Sequence, residues 1–201
     1  MPNPTLHVAL FGTSADPPTV GHQRILRWLA DRFDQVAVWA SNNPFKLHQT
    51  PLFHRITMLQ LLIDDLGRAN LNLYPQLSHG RTIHTLESAY QIWPDARFTL
   101  VIGSDLIAQL SDWYHIDRIL SQVALLIVPR PGYPIQEIQL QQLRQWGATL
   151  TIADLIGLDT SSTTYREHHD CEELPPAVAA YIHREHLYLW QAESREKQPV
   201  Q

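Results

Sequence analysis

The chain has 201 residues, 44% of them hydrophobic, and a formal net charge of −5. That length and apolar content suit one α/β domain with a buried core, and the acidic balance argues against a general nucleic-acid binder. The lone cysteine, Cys171, excludes an internal disulfide and a CxxC metal site and reads as a bystander thiol. The opening stretch MPNPTLHVALFG has no charged leader region, and no apolar run is long enough for a membrane span. A cytoplasmic protein is expected, with neither nucleic acid nor membrane as partner.

In chain order, a first strand is predicted over Leu6–Phe11, breaking at Gly12 into a turn of small residues and proline. A helix follows over Gln23–Phe33, with Ile25, Leu26, Trp28, Leu29 and Phe33 as its apolar stripe. Helix N-termini carry unpaired N–H groups and roughly half a positive charge, so strand, turn and helix start make a place for an anion. Thr19 offers a hydroxyl donor, Gly21 a close backbone approach, and His22 a ring nitrogen. Taken alone, this TxGH is more often an ordinary helix start.

A second strand at Gln35–Ala40 leads into the polar loop SNNPFKLHQTP, then into a helix over Phe53–Leu66 with Ile56, Leu59, Gln60 and Ile63 in register. Strands at Leu71–Tyr74, Phe98–Ile102, Val123–Val128 and Thr149–Ile152 are interleaved with a helix over Thr82–Trp93 and a glutamine-rich surface helix from Gln136 to Trp146. Strands alternating with helices imply βαβ units and a Rossmann-like, doubly wound parallel sheet. The loop at 41–51, Gly103–Ser104–Asp105, the Pro129–Pro134 turn and Asp159–Arg166 all follow carboxyl ends of strands, where open α/β sheets bind ligands. In the last of these, Ser161, Ser162, Thr163 and Thr164 precede Arg166, and their hydroxyls and the guanidinium could form a second phosphate grip. Helix capping alone explains most such runs. One domain is expected over residues 1–192, with a small helical portion from about 160 and a polar tail over 193–201. The pair His168–His169 reads as solvent-facing and not as a metal site, lacking a third ligand nearby in sequence.

These pieces resemble, over nearly the whole chain, a bacterial-type nicotinate-nucleotide adenylyltransferase of the HxGH nucleotidyltransferase superfamily. That family's first motif reads GGTFDPxHxGH, where this chain has GTSADPPTVGH; its last reads ISxTxxR, where this chain has TSSTTYR. Between them, Asn42–Asn43–Pro44, Lys46, His54–Arg55, Met58–Leu59, Ile102–Asp105, Trp113–Tyr114 and Arg130–Pro134 fall in the family's order. Two positions depart from the pattern. Thr19 stands at the first histidine of HxGH, where related phosphopantetheine adenylyltransferases also carry threonine, and Ser14–Ala15 replace Thr–Phe.

The resemblance implies transfer of the adenylyl group of ATP to nicotinate mononucleotide, giving nicotinate adenine dinucleotide and pyrophosphate. It implies catalytic roles for His22, Thr19, Lys46 and Arg166, with His22 on the α-phosphate and Thr19, Lys46, Ser161, Ser162 and Arg166 holding phosphates. Gly12, Thr13, Ser14, Gly21, Gly103, Asp105 and Thr163 would complete the ATP site. Asn42, Lys46, Arg55, Arg81, Thr82, Trp113, Tyr114 and Arg130 would meet the acceptor, with Trp113 stacking on the pyridine ring and backbone N–H groups near Thr82 and Tyr114 meeting its carboxylate. Arg81 would add an ionic contact to that carboxylate or to the acceptor phosphate, or simply be a solvated arginine. Mg²⁺ would arrive on ATP, with no dedicated protein metal site. An oligomer is compatible with the sequence. The competing readings are the same chemistry on nicotinamide mononucleotide or phosphopantetheine, and a catalytically weakened nucleotide-binding regulator.

Overall fold

Apolar residues run almost unbroken along the strands, and in the structure successive side chains go to opposite faces of one buried sheet. In the computed structural model, which describes residues 5–42, 49–155 and 161–188, six strands form that sheet. They are β1 (His7–Thr13), β2 (Gln35–Ala40), β3 (Leu71–Leu73), β4 (Arg97–Gly103), β5 (Ala124–Val128) and β6 (Thr149–Ile152). All neighbours pair in parallel, in the order β3-β2-β1-β4-β5-β6. Ala9, Phe11, Val36 and Val38 face one core, with Leu26 and Leu29 of helix α1 (Val20–Ala30) and Met58, Leu59 and Leu62 of α2 (Leu52–Leu66). Val8, Leu10, Ala37 and Trp39 face the other. There they meet α3 (Thr82–Ile92), α4 (Ile116–Gln122) and α5 (Glu137–Gln145) through Ile83, Leu86, Ile119, Leu140 and Leu143.

The doubly wound sheet expected from the sequence is therefore what forms. Its strand order reverses between β1 and β4, which opens a crevice at their carboxyl ends. Two short helices late in the chain, α6 (Ser162–His168) and α7 (Pro176–Arg184), return to the α1–α2 face, where Tyr165, Val178, Tyr181, Ile182 and Tyr188 join that core.

Several boundaries move for physical reasons. β1 runs on to Thr13 because Gly12 and Thr13 pair with Trp39 and Ala40 of β2. The Gly12–Trp39 pairing also fixes the glycine, since a β-carbon at position 12 would sit 2.5 Å from the indole ring. Helix α1 starts at Val20, three positions before the periodicity does, because Thr19 takes the N-cap position. The buried stripe of α2 is rotated from the predicted one: Arg55, Met58, Leu59, Leu62 and Ile63 are inside, and Gln60 is exposed. A 3₁₀ helix over Ser104–Asp112, with α4 and α7, adds elements that the periodicity did not outline. Among the described residues, no helix is long and apolar enough to cross a membrane.

Candidate active site

His22 occupies the third position of α1, within its first turn, and its ring folds back toward Thr19 and Thr13. Its Nδ1 receives the Thr19 backbone N–H at 3.1 Å and the Thr19 hydroxyl at 3.0 Å. A backbone N–H can only donate, so Nδ1 is unprotonated and the ring proton lies on Nε2. That Nε2–H is directed to the hydroxyl oxygen of Thr13, 2.9 Å away. Burial, helped by the positive charge of Arg130, pushes the His22 pKa down to about 4. Geometry and electrostatics agree on a neutral ring with one aimed donor. Thr19 itself is wholly buried. Its hydroxyl was expected on a phosphate; in the structure the buried side chain instead meets the His22 ring.

The loop under His22 is held by groups that the sequence did not connect. Ala15 adopts φ 48°, in the left-handed region, and is completely buried, while its N–H reaches the Thr13 hydroxyl at 3.3 Å. The buried Asp16 carboxylate accepts the Tyr188 hydroxyl at 2.8 Å and the Thr50 N–H at 3.3 Å. Burial and that carboxylate raise the Tyr188 pKa, so the phenol stays a donor. Arg55 is 2% exposed and gives Nε to the Thr50 carbonyl and Nη1 to the carbonyls of Ser14 and Ser41, at 2.8 to 3.0 Å. Burial lowers its pKa and the nearby Asp16 charge works the other way. Arg55 was expected to touch the acceptor; it is a brace that ties the β1 and β2 loops to α2. Its place on the apolar stripe of that helix is the signal that could have revealed this.

The second jaw is fastened to the first. Ser162 donates its hydroxyl to the Pro17 carbonyl at 2.7 Å, and Arg166 donates to the Asp16 carbonyl and, at 3.3 Å, to the Thr163 hydroxyl. Ser161 caps α6, accepting the Thr164 N–H at 3.0 Å. The Ser161 and Ser162 hydroxyls, expected on phosphate, are thus used as a cap and a clasp. The sequence expectation that residues 161–166 complete the loop at 12–22 is met in space by these contacts. Across the switch point, Gly103 leaves room for the Asp105 carboxylate, which folds back over its backbone. Asp105 pairs with Arg130 at 2.7 Å. Ser104 accepts the Arg130 N–H at 2.9 Å and donates to the Tyr133 carbonyl at 2.8 Å, so the 130–133 turn is pinned to β4.

On the outer wall, Trp113 is half-buried against the α3 core, and Tyr114 beside it is exposed. Arg81, the residue before α3, lays its guanidinium 4.2 Å over the Tyr114 ring, and Thr82 begins that helix. Ser78 anchors this stretch by donating to the Ala40 carbonyl, at the end of β2, at 2.7 Å. Gly21 is half-buried in the first turn of α1, and Asn42 is exposed just beyond β2. Lys46, Asn43 and Pro44, Asp159 and the tail from 193 lie outside the described residues. His168 and His169 are exposed, and no cluster of histidine, cysteine and carboxylates suited to a metal occurs among the described residues.

Residues 10–168 match the model of the cytidylyltransferase-like family. A protein of Synechocystis sp. named "Probable nicotinate-nucleotide adenylyltransferase" is 42% identical to this chain, over 91% of the chain and 99% of its own length. One of the same name from Gemmatimonas aurantiaca is 29% identical over 91% of the chain and 92% of its own length. Among solved structures, Plasmodium falciparum nicotinic acid mononucleotide adenylyltransferase complexed with NaAD superimposes with a TM-score of 0.77 at 20% identity. That superposition covers 91% of this chain and 97% of the other.

Proposed function

The chain belongs to the cytidylyltransferase-like family and, within it, to the nicotinate-nucleotide adenylyltransferases, and from that premise we propose how its own residues carry out the reaction. The enzyme transfers the adenylyl group of ATP to nicotinate mononucleotide, forming nicotinate adenine dinucleotide and releasing pyrophosphate, a step in NAD biosynthesis. The acceptor's phosphate oxygen forms a bond to the α-phosphorus of ATP while the bond from that phosphorus to the α,β-bridging oxygen breaks. The attacking oxygen is already anionic, so no general base is needed. What remains for the protein is alignment, and stabilisation of charge that moves onto the leaving pyrophosphate.

The neutral His22 is the observation that carries this assignment. Its Nδ1 is fixed by two donors on Thr19, so its one proton points outward from Nε2. A small rotation transfers that N–H from the Thr13 hydroxyl to an α-phosphate oxygen. Free N–H groups at the start of α1 add to the positive potential there, and the first turn of that helix has no acidic residue. Arg166, joined to the loop through the Asp16 carbonyl, and Arg130, paired with Asp105, set positive charge on either side. Thr13, Ser14, Gly12 and Gly21 shape the backbone approach, and Thr163 stays open at the second jaw. Lys46 and Asn42, on the loop after β2, are assigned to the acceptor phosphate, and Trp113 to the pyridine ring.

The donor set fits a magnesium ion that arrives on ATP. Asp16 and Asp105, the carboxylates nearest the crevice, are engaged by Tyr188 and Thr50 and by Arg130, so phosphate oxygens and water would be the ligands. The chemistry that Mg²⁺ would supply when bound is neutralisation of triphosphate charge. The single cysteine and the lack of a membrane-crossing helix among the described residues support action in the cytoplasm. The test is pyrophosphate release from ATP and Mg²⁺ with each acceptor in turn. Release with nicotinate mononucleotide, well above that with nicotinamide mononucleotide or phosphopantetheine, is expected. Binding of ATP without release for any acceptor would replace this reading with a regulator.

A further inference from the structure

The nicotinate and nicotinamide acceptors differ in a single group: one carries a carboxylate where the other has a neutral amide. A site that separates them by backbone N–H donors gains further from a cation whose own charge is not already answered by the protein. Among the arginines at the carboxyl end of the sheet, three are committed. Arg55 lies under the floor on three carbonyls, Arg130 is paired with Asp105 at 2.7 Å, and Arg166 is held by the Asp16 carbonyl and the Thr163 hydroxyl. Arg81 differs, having no ion-pair partner among the described residues.

Its place is nonetheless defined. The guanidinium lies 4.2 Å over the ring of Tyr114, which adjoins Trp113. Stacking on an aromatic face fixes the plane of a guanidinium while leaving its N–H edge open to an oxygen ligand. The backbone of Arg81 precedes Thr82, the first residue of an 11-residue helix with no acid in its first turn. Side-chain charge and helix N–H groups therefore add at one spot.

We propose that Arg81 is a specificity-determining residue that, held flat by Tyr114, contacts the carboxylate of the nicotinate ring and biases the enzyme toward the acid mononucleotide. The inference rests on the adenylyl-transfer reading above and adds to it a discriminating residue. The contact is solvent-edged, so its effect is about fivefold, the order of one exposed charge contact.

The experiment compares kcat and KM for nicotinate and nicotinamide mononucleotide in the wild type, Arg81→Met and Arg81→Lys, each at low and high salt. Methionine keeps an apolar stem over Tyr114 and removes the charge. It is expected to raise KM for the nicotinate acceptor about fivefold and leave KM for the nicotinamide acceptor where it was, with lysine recovering part of the loss. Added salt should shrink the wild-type preference and have little effect on that of Arg81→Met. An unchanged preference in Arg81→Met overturns the proposal. So does an equal loss for both acceptors, which would put the guanidinium on the phosphate. If the wild type turned over neither acceptor, the adenylyl-transfer reading itself would fall and take this inference with it; a wild-type preference indifferent to Arg81 removes the inference alone.

Discussion

Thr19 is wholly inaccessible to solvent, whereas Tyr114, on the other side of the same crevice, leaves 48% of its surface exposed. The contrast extends through both neighbourhoods. On the side proposed for the nucleotide, His22, Asp16 and Arg55 have protein partners for their polar atoms, drawn from Thr13 at the end of β1, from Ser14, Thr19, Ser41 and Thr50 in the loops, and from Tyr188. On the side proposed for the acceptor, Arg81 stacks on Tyr114, whose ring also packs against His115, and no ion pair holds Arg81 among the described residues. The charge that develops during adenylyl transfer is the same in every turnover, so donors set in advance within a dry frame cost no reorganisation. Acceptor recognition has a weaker requirement, a preference between two similar rings, and the solvent-edged contact proposed for Arg81 would be enough to supply it.

The sharpest way to break this contrast is at Arg55. Arg55→Leu would leave the carbonyls of Ser14, Ser41 and Thr50 buried without a donor, and a loss of about 3–5 kcal/mol is expected in urea unfolding. A variant as stable as the wild type would show that the frame is not rigid. Next is His22→Ala, for which kcat should fall about 10²–10³-fold, the usual effect of losing one aimed donor at a developing charge. Because its folded pKa is near 4, below the ordinary 6.5, the unfolded chain takes up a proton that the native protein refuses between those values. The part of stability that His22 governs is therefore complete above about pH 6.5 and lost as pH falls toward 4. Urea unfolding of wild type and His22→Gln at several pH values checks this: the variant should lack that component of the slope, and parallel slopes would put the ring in a wetter place. The smallest of these effects belongs to Tyr188→Phe, expected to cost about 1–2 kcal/mol and to weaken ATP binding by loosening Asp16. Unaltered ATP affinity at reduced stability would separate the clasp from the site.

Much of this was legible in the sequence, and the limits of legibility have physical origins. All six strands announce themselves as apolar runs, and α1, α2 and α3 by periodicity, because burial on a helix face repeats at fixed intervals. GTSADPPTVGH and TSSTTYR fix where the two jaws lie, since helix starts and tight turns require small and hydroxyl residues locally. The jobs of individual side chains within those motifs were less visible. Thr19 and Ser162 look like donors to a ligand, but whether a hydroxyl faces the crevice or the interior depends on neighbours supplied by distant segments. Arg55 was misread for the related reason that arginine is ordinarily exposed, and only its three carbonyl partners make its burial tolerable. Nothing local to Asp16 points to Tyr188.

That last contact joins residues 172 positions apart and has a consequence for how the enzyme comes into being. During translation the segment bearing His22 leaves the ribosome well before Ser162, Arg166 and Tyr188, which grip its loop. A chain that stops before residue 162 would carry His22 without these three contacts to its loop. The GTSADPPTVGH motif is therefore present in a nascent chain before the contacts that hold its loop can form.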